Sequence, residues 1–456
     1  MSTLRYVSLQ MIGAGFEERS LKAALAGGAD FIGADAGSCD VGPFQLGGVG
    51  TLFSEQACYR DIALGLRAAR QAGIPFLIGS CGGSGRDWGV DWFEGMVDRA
   101  AREHGLGAVR VAKIYSELEQ ETVAGWCREG RVHPLPGAPA FDEHVARRST
   151  RIVGVMGPDP FQRAVQTGAD VVLAGRASDT AIFSAIPLMR SIPPAVAWHA
   201  AKAAESGAAA TVPPSADCVA LSVDDDGFVI EPANEAARCT PFSVAAIQLY
   251  ENADPYRFTE SRGVIDSTAA VYTPLDDRGV RVTGATFSPR DPPTVKLEGV
   301  ELVGYQSIVM ASLRDPVLLE DLDHWLAVME AKRVARVDRA FGREMSGEYA
   351  YHLRVYGRDG TLGTWESAPG ADPREVFLLM DFTAATQELA SSVASASWHA
   401  AIHASTRGWT GVITAAWPYN PHVIDRGPVY RFNVHHVVDM PDPCEPFRFA
   451  ETTVGA

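Results

Sequence analysis

The sequence predicts an α/β protein: a mostly parallel-sheet N-terminal domain, a β-rich middle segment and a C-terminal ferredoxin-like α+β domain. Three observations predict it. Short apolar runs alternate with helical stretches from residue 1 to about 215. The runs are rich in Val and Ile and do not alternate with polar residues, the pattern of strands buried on both faces. Helix-like segments lie between them, the βα order of a sheet covered by helices.

In chain order, the predicted strands of the first domain (1–215) are Tyr6–Gly13, Asp30–Gly37, Ile74–Ser80, Val109–Glu117, Arg151–Gly157 and Asp170–Ala177. "SLKAALAGG", "ACYRDIALGLRAARQAG" and "DPFQRAVQTGA" supply helices between them. "ALAGGADFIGADAGSCD" and "AVQTGADVVLAGRASDT" echo one another: a helix end, Gly-Ala-Asp, a strand, then a loop with Ser and Asp. In 216–300 the texture changes to hairpins around Asp-Gly and Asp-Arg-Gly, with one helix between them. In 301–456 the order is strand Tyr305–Ser312, helix Asp315–Gly342, strands Tyr349–Gly357 and Glu375–Phe382, a helix from Thr383 to about Thr406, and strand Val429–Met440. That is β-α-β-β-α-β, the ferredoxin-like order.

At 456 residues, two or three domains are expected. A net charge of −16 argues against nucleic-acid and anionic-membrane partners, which reward basic surfaces. The seven cysteines form no CxxC pair, which fits reduced thiols in a cytoplasmic protein. No basic-then-apolar leader and no long apolar stretch is present, so neither a signal peptide nor a membrane span is expected. A homo-oligomer is the expected assembly.

Ligands of open parallel sheets bind outside the carboxyl ends of the strands. Collecting those ends brings together Asp35, Ser38 and Asp40, then "GSCGGSG" (79–85), then Arg176, Ser178 and Asp179. Asp35 with Asp40 or Asp179 are candidate acid–base groups, and Asp35 with Asp40 are equally candidate ligands for a divalent metal. The other reading of these aspartates is loop or helix capping. Ser80, Gly82, Gly83 and Ser84 are candidates to cradle an anion, although the loop lacks the P-loop lysine and "GAGFEERS" lacks the third glycine of a dinucleotide fingerprint. Arg176 either grips a carboxylate or ties its own loop to an aspartate. Lys113 interrupts an apolar strand. His399 and His403 share a helix face, with no third metal ligand evident. Cys39 and Cys81 read as packed thiols.

"GADFIGADAGSCDVGPFQLG", "GIPFLIGSCGGSG", "DVVLAGRASDTAIFSAIPL", "CTPFSVAAIQLYENADPY" and "RGVRVTGATF" resemble the acyclic terpene utilisation (AtuA-type) family over about residues 5 to 310. "DRGPVYRFNVHHVV" is similar to the ferredoxin-fold domain that accompanies it. The resemblance implies a bacterial catabolic protein of CoA-thioester and small-carboxylate pathways and supplies no catalytic residues. The leading expectation is a lyase, hydratase or isomerase on a small carboxylic acid or its CoA thioester, using carboxylate acid–base chemistry without a cofactor. The alternatives are a hydrolase using Ser80 or an Asp-held divalent metal, and a non-catalytic subunit that binds an acyl ligand for a partner enzyme.

Overall fold

The computed structural model describes residues 3–367 and 373–456. The chain divides into two units, Met1–Glu301 with Phe432–Ala456, and Leu302–Arg431.

The first unit starts β1 (Leu4–Ser8), α1 (Glu18–Ala26), β2 (Phe31–Ala34), α2 (Phe44–Gly47), α3 (Glu55–Ala72), β3 (Phe76–Ile78), α4 (Asp87–Glu103) and β4 (Val109–Tyr115). There follow α5 (Gln120–Arg128), β5 (Val132–Pro134), α6 (Glu143–Arg148), β6 (Arg151–Val155), α7 (Pro158–Gln166), β7 (Val171–Ala174), α8 (Asp179–Met189) and α9 (Pro194–Ala204). Sequence chemistry places these boundaries. Ser54 caps α3 by accepting the Ala57 N–H, and Gly73 ends it in the left-handed region at φ 68°.

Strands β1, β2, β3, β7 and β4 lie side by side in that order, all parallel. Successive strand residues point to opposite faces, so each strand feeds two cores. Tyr6, Phe31, Leu77 and Val172 pack on the α8–α9 side with Phe161 and Phe183. Val7, Ile32, Phe76 and Val171 pack on the α3–α4 side with Leu66 and Phe93. The Gly-Ala-Asp echo has a local cause. Asp30 and Asp170 each accept a backbone N–H from the start of a neighbouring strand, from Arg5 at 2.9 Å and Arg110 at 2.8 Å.

Two expectations for this sheet change. It is mixed, because antiparallel strands extend both ends. The segment 151–157 leaves it altogether, since β6 pairs antiparallel with a later strand. The middle segment continues the same unit: β8 (Thr211–Val212), β9 (Val219–Val223), β10 (Gly227–Pro232), β11 (Arg238–Cys239), α10 (Pro241–Ile247), β12 (Arg257–Glu260), β13 (Gly263–Asp266), β14 (Val271–Pro274), β15 (Val280–Thr283) and β16 (Thr286–Pro289). β9 hydrogen-bonds β1, and β10, β15 and β14 add on outward. Within 216–300, β9, β10, β14 and β15 therefore build on the first sheet, while β12, β13 and β16 form a small sheet of their own in the same unit.

β17 (Thr294–Leu313) begins in the first unit, where it pairs β6, and ends in the second. The second unit continues with α11 (Pro316–Glu320), α12 (Leu322–Phe341), β18 (Tyr349–Tyr356), β19 (Val376–Ala384), α13 (Gln387–Ser397), α14 (His399–Ile402) and the start of β20 (Val423–Asp439). The helix expected over 315–342 is split at Asp321, whose φ −118° and ψ 41° are non-helical. β20 crosses back at Phe432, and β21 (Arg448–Val454) pairs antiparallel with β4 in the first unit. The last 25 residues thus rejoin the first unit, unlike the expected 301–456 boundary. No helix among the described residues is long and apolar enough to cross a membrane.

Candidate functional site

Beyond the carboxyl ends of β2, β3 and β7, the glycine-rich segments meet backbone to backbone. The N–H groups of Gly79, Ser80 and Cys81 bond the carbonyls of Ala34, Gly175 and Ala174, and that of Gly83 bonds Ser80 O. At Gly85, φ 68°, a Cβ would lie 2.1 Å from Arg176 N, so only glycine fits. The loop 79–85 is therefore a packed joint, and of the expected anion-cradle residues Gly82, Gly83 and Ser84 it spends the Gly83 N–H within the loop. Ser84 Oγ donates to Gln45 O at 3.0 Å. The first glycine turn is spent likewise: Gly13 and Gly15 N–H both donate to buried Asp61.

This joint holds Arg176. Its Nη1 donates to Ser80 Oγ at 3.1 Å and to Ala177 O at 2.8 Å, and its Nε donates to Glu298 Oε2 at 2.8 Å. Ser80 sits in the left-handed region at φ 50°, strain of the kind that clusters at functional sites. Neither reading of Arg176 foresaw Glu298 as its main partner. Lys296 Nζ donates to the other Glu298 oxygen at 2.7 Å. Burial alone would raise the Glu298 carboxyl, but Arg176 and Lys296 outweigh it and hold the group below the usual range. Lys296 and Glu298 are two apart on β17 and so share a face, while Val295 and Leu297 pack into the core.

A cleft of about 560 Å³ opens beside this ion chain, lined by Arg176, Lys296, Ser178, Asp179, Lys202 and Glu260 among others. Its size is that of a small-molecule site. Asp179 Oδ1 lies 3.7 Å from Arg176 Nη1. Burial, with help from Glu251, raises the Asp179 pKa against the pull of Arg176. Lys202, near the end of α9, bonds Glu205. Burial pushes Glu205 well above the usual range despite that lysine. Glu260, at the end of β12, accepts from Thr180 Oγ1 at 2.6 Å and Ser178 Oγ at 3.0 Å. Burial pushes its pKa up to about 7, against those two hydrogen bonds. Glu251, which also lines the cleft, has φ 59°.

Of the sequence-derived candidates, Arg176, Ser178 and Asp179 line the cleft. Asp35 lies behind them. Its Oδ2 accepts the Gly37 N–H at 2.9 Å, its Oδ1 is buried without a partner, and burial, then the charge of Asp179, raises its pKa well above normal. Asp40 is exposed and accepts from Ser38. Among the described residues, no group of three or more His, Cys, Asp or Glu side chains is arranged to hold a metal ion. Cys39 and Cys81 are buried, and burial raises both thiols. Lys113 is held by Glu94 at 2.7 Å and Asp91 at 3.1 Å, away from the cleft. His399 accepts from Arg336 in the second unit, its ring 4.5 Å from that of His403.

Sequence reasoning missed Lys202, Glu205, Glu251, Glu260, Lys296 and Glu298. A usable signal exists for the last two. "TVKLE" alternates strictly, so Lys296 and Glu298 must share one face of a strand.

The model of the family described as "Acyclic terpene utilisation family protein AtuA" matches residues 92–205 and 218–430, most of the chain. The chain belongs to the AtuA family. The family's description links it to acyclic terpene utilisation. No curated protein and no solved structure matches it. Arg176, Asp179, Lys202, Glu205, Glu251, Glu260, Lys296 and Glu298 all fall inside the matched stretches of this AtuA-family chain. Asp35 and the loop 79–85 precede them.

Proposed function

We propose that this chain is a catabolic enzyme of the lyase, hydratase or isomerase type. In this reading it moves a proton on a small carboxylic acid or its CoA thioester. The carrying observation is the convergence of Glu260, Asp179 and Glu205 on one cleft in surroundings that favour the protonated carboxyl. A carboxyl poised near neutrality both takes and returns a proton, which is what acid–base catalysis requires. Glu260 is the proton carrier, oriented by Ser178 and Thr180. Asp179 is the second carboxyl. Arg176 fixes the wall of the cleft, and Asp35 backs it.

Because a proton and not a hydride moves, the step calls for no redox cofactor. Seven free thiols support a cytoplasmic setting. We also read Leu302–Arg431 as a ferredoxin-like module. Its βαββαβ chain order and the strand order β18–β19–β17–β20 support this.

The test is α-proton exchange of candidate acyl thioesters in D₂O, followed by NMR. Wild-type protein should catalyse exchange, and Glu260→Gln should lower it by about 10²-fold or more while the far-UV spectrum stays unchanged. Full exchange activity in folded Glu260→Gln removes Glu260 from the chemistry.

A further inference from the structure

The charges of the cleft narrow the substrate, on the premise of the acid–base reading above. Three cations line it, and each already holds a carboxylate. Arg176 Nε and Lys296 Nζ bond the two oxygens of Glu298, at 2.8 and 2.7 Å, and Lys202 bonds Glu205. His435, also on the lining, is pushed toward its neutral form by burial and by Lys296. Facing these are Asp179, Glu251 and Glu260. Among the described residues the nearest cation to Asp179 is Arg176, at 3.7 Å, and Glu260 is held by hydroxyls alone.

Among the described residues, each lysine and arginine of the lining therefore already has a carboxyl partner, and further carboxyls stand beside them. An entering carboxylate or phosphate would have to displace Glu298 from its two cations or meet like charge in a partly desolvated space. An uncharged carbonyl meets neither cost. We propose that the cleft selects an uncharged acyl head, the carbonyl of a thioester, over the free carboxylate of the same acid.

The experiment is titration calorimetry of the whole protein at pH 8 with hexanoate and with its N-acetylcysteamine thioester. The thioester should bind at least about tenfold more tightly, or roughly 1.4 kcal/mol. Glu298→Gln uncommits Arg176 and Lys296, so hexanoate should gain and the ratio should shrink or invert. Should that variant fail to fold, Glu260→Gln removes a cleft carboxylate elsewhere and should raise hexanoate affinity severalfold. Equal or tighter hexanoate binding, no thioester binding, or a ratio unmoved in a folded variant overturns the proposal. A thioester that binds selectively but shows no α-proton exchange instead sinks the acid–base reading and leaves the selection standing.

Discussion

Lys113 and Lys202 are both buried lysines of the first unit, 8% and 6% exposed, and both are ion-paired, yet their surroundings differ in kind. Lys113 lies where β4 meets α4 and β21. Its partners Asp91 and Glu94 are further engaged by Tyr115 and Thr452. Lys113, Asp91, Glu94, Tyr115 and Thr452 thus each have a partner within the seam. Lys202 instead has one partner among the described residues, Glu205, whose carboxyl is pushed toward neutrality, and both line an open cleft. Burial of a charge alone does not mark a site. A buried charge whose partners face a cavity does.

The comparison breaks first on stability. Arg176→Met leaves Glu298 buried with Lys296 alone and should cost about 3–5 kcal/mol, as for other broken buried pairs. Lys113→Met strands Asp91, whose side chain is 56% exposed, and Glu94, at 18%, so hydration offsets much of the loss and about 1 kcal/mol is expected. Urea unfolding of both variants checks this. Equal costs would mean that the two ion pairs are structurally equivalent.

Activity sharpens it next. Lys202→Met should lower proton exchange by about 10²-fold, comparable with losing a group that acts in proton transfer. Its fold should survive, because Glu205 can protonate where it stands. Lys113→Met should leave exchange within about twofold, because Lys113 and its partners Asp91 and Glu94 do not line the cleft. If Lys113→Met and Lys202→Met lowered exchange alike, the cleft would lose its claim.

How much of this was legible follows the same divide. The parallel strands were readable because each is an apolar run buried on both faces, as in "FIGA" and "VVLA". The strand ends then pointed to Asp35, Arg176, Ser178 and Asp179. β6 was misplaced because "RIVGV" is equally apolar wherever it pairs, and periodicity carries no information about partners. Lys202 and Glu205 end an Ala-rich helix that looks like solvated surface, and Glu260 ends a short strand 55 residues further on. Their meeting is a product of tertiary folding, invisible to local pattern. The glycine loop was legible as a feature, and sequence alone does not separate its two tasks, since backbone packing and anion binding ask for the same residues.

The smallest expected effect is thermal, and it isolates Glu260. Burial gives its carboxyl a folded pKa of about 7, above the ordinary value of 4.5 in the unfolded chain. The folded state then binds more protons than the unfolded state between those values, so its contribution to stability falls as pH rises from about 4.5 through 7. Glu260→Gln cannot ionise and escapes that loss. Asp35, Asp179 and Glu205 titrate in both proteins and largely cancel in the difference. The variant's melting temperature relative to wild type should therefore be higher at pH 8 than at pH 5, by about 1–3 °C for a unit of this size. Scanning calorimetry at the two pH values decides it, and a difference of zero or of the opposite sign would place the Glu260 carboxyl in an environment as watery as that around Asp91.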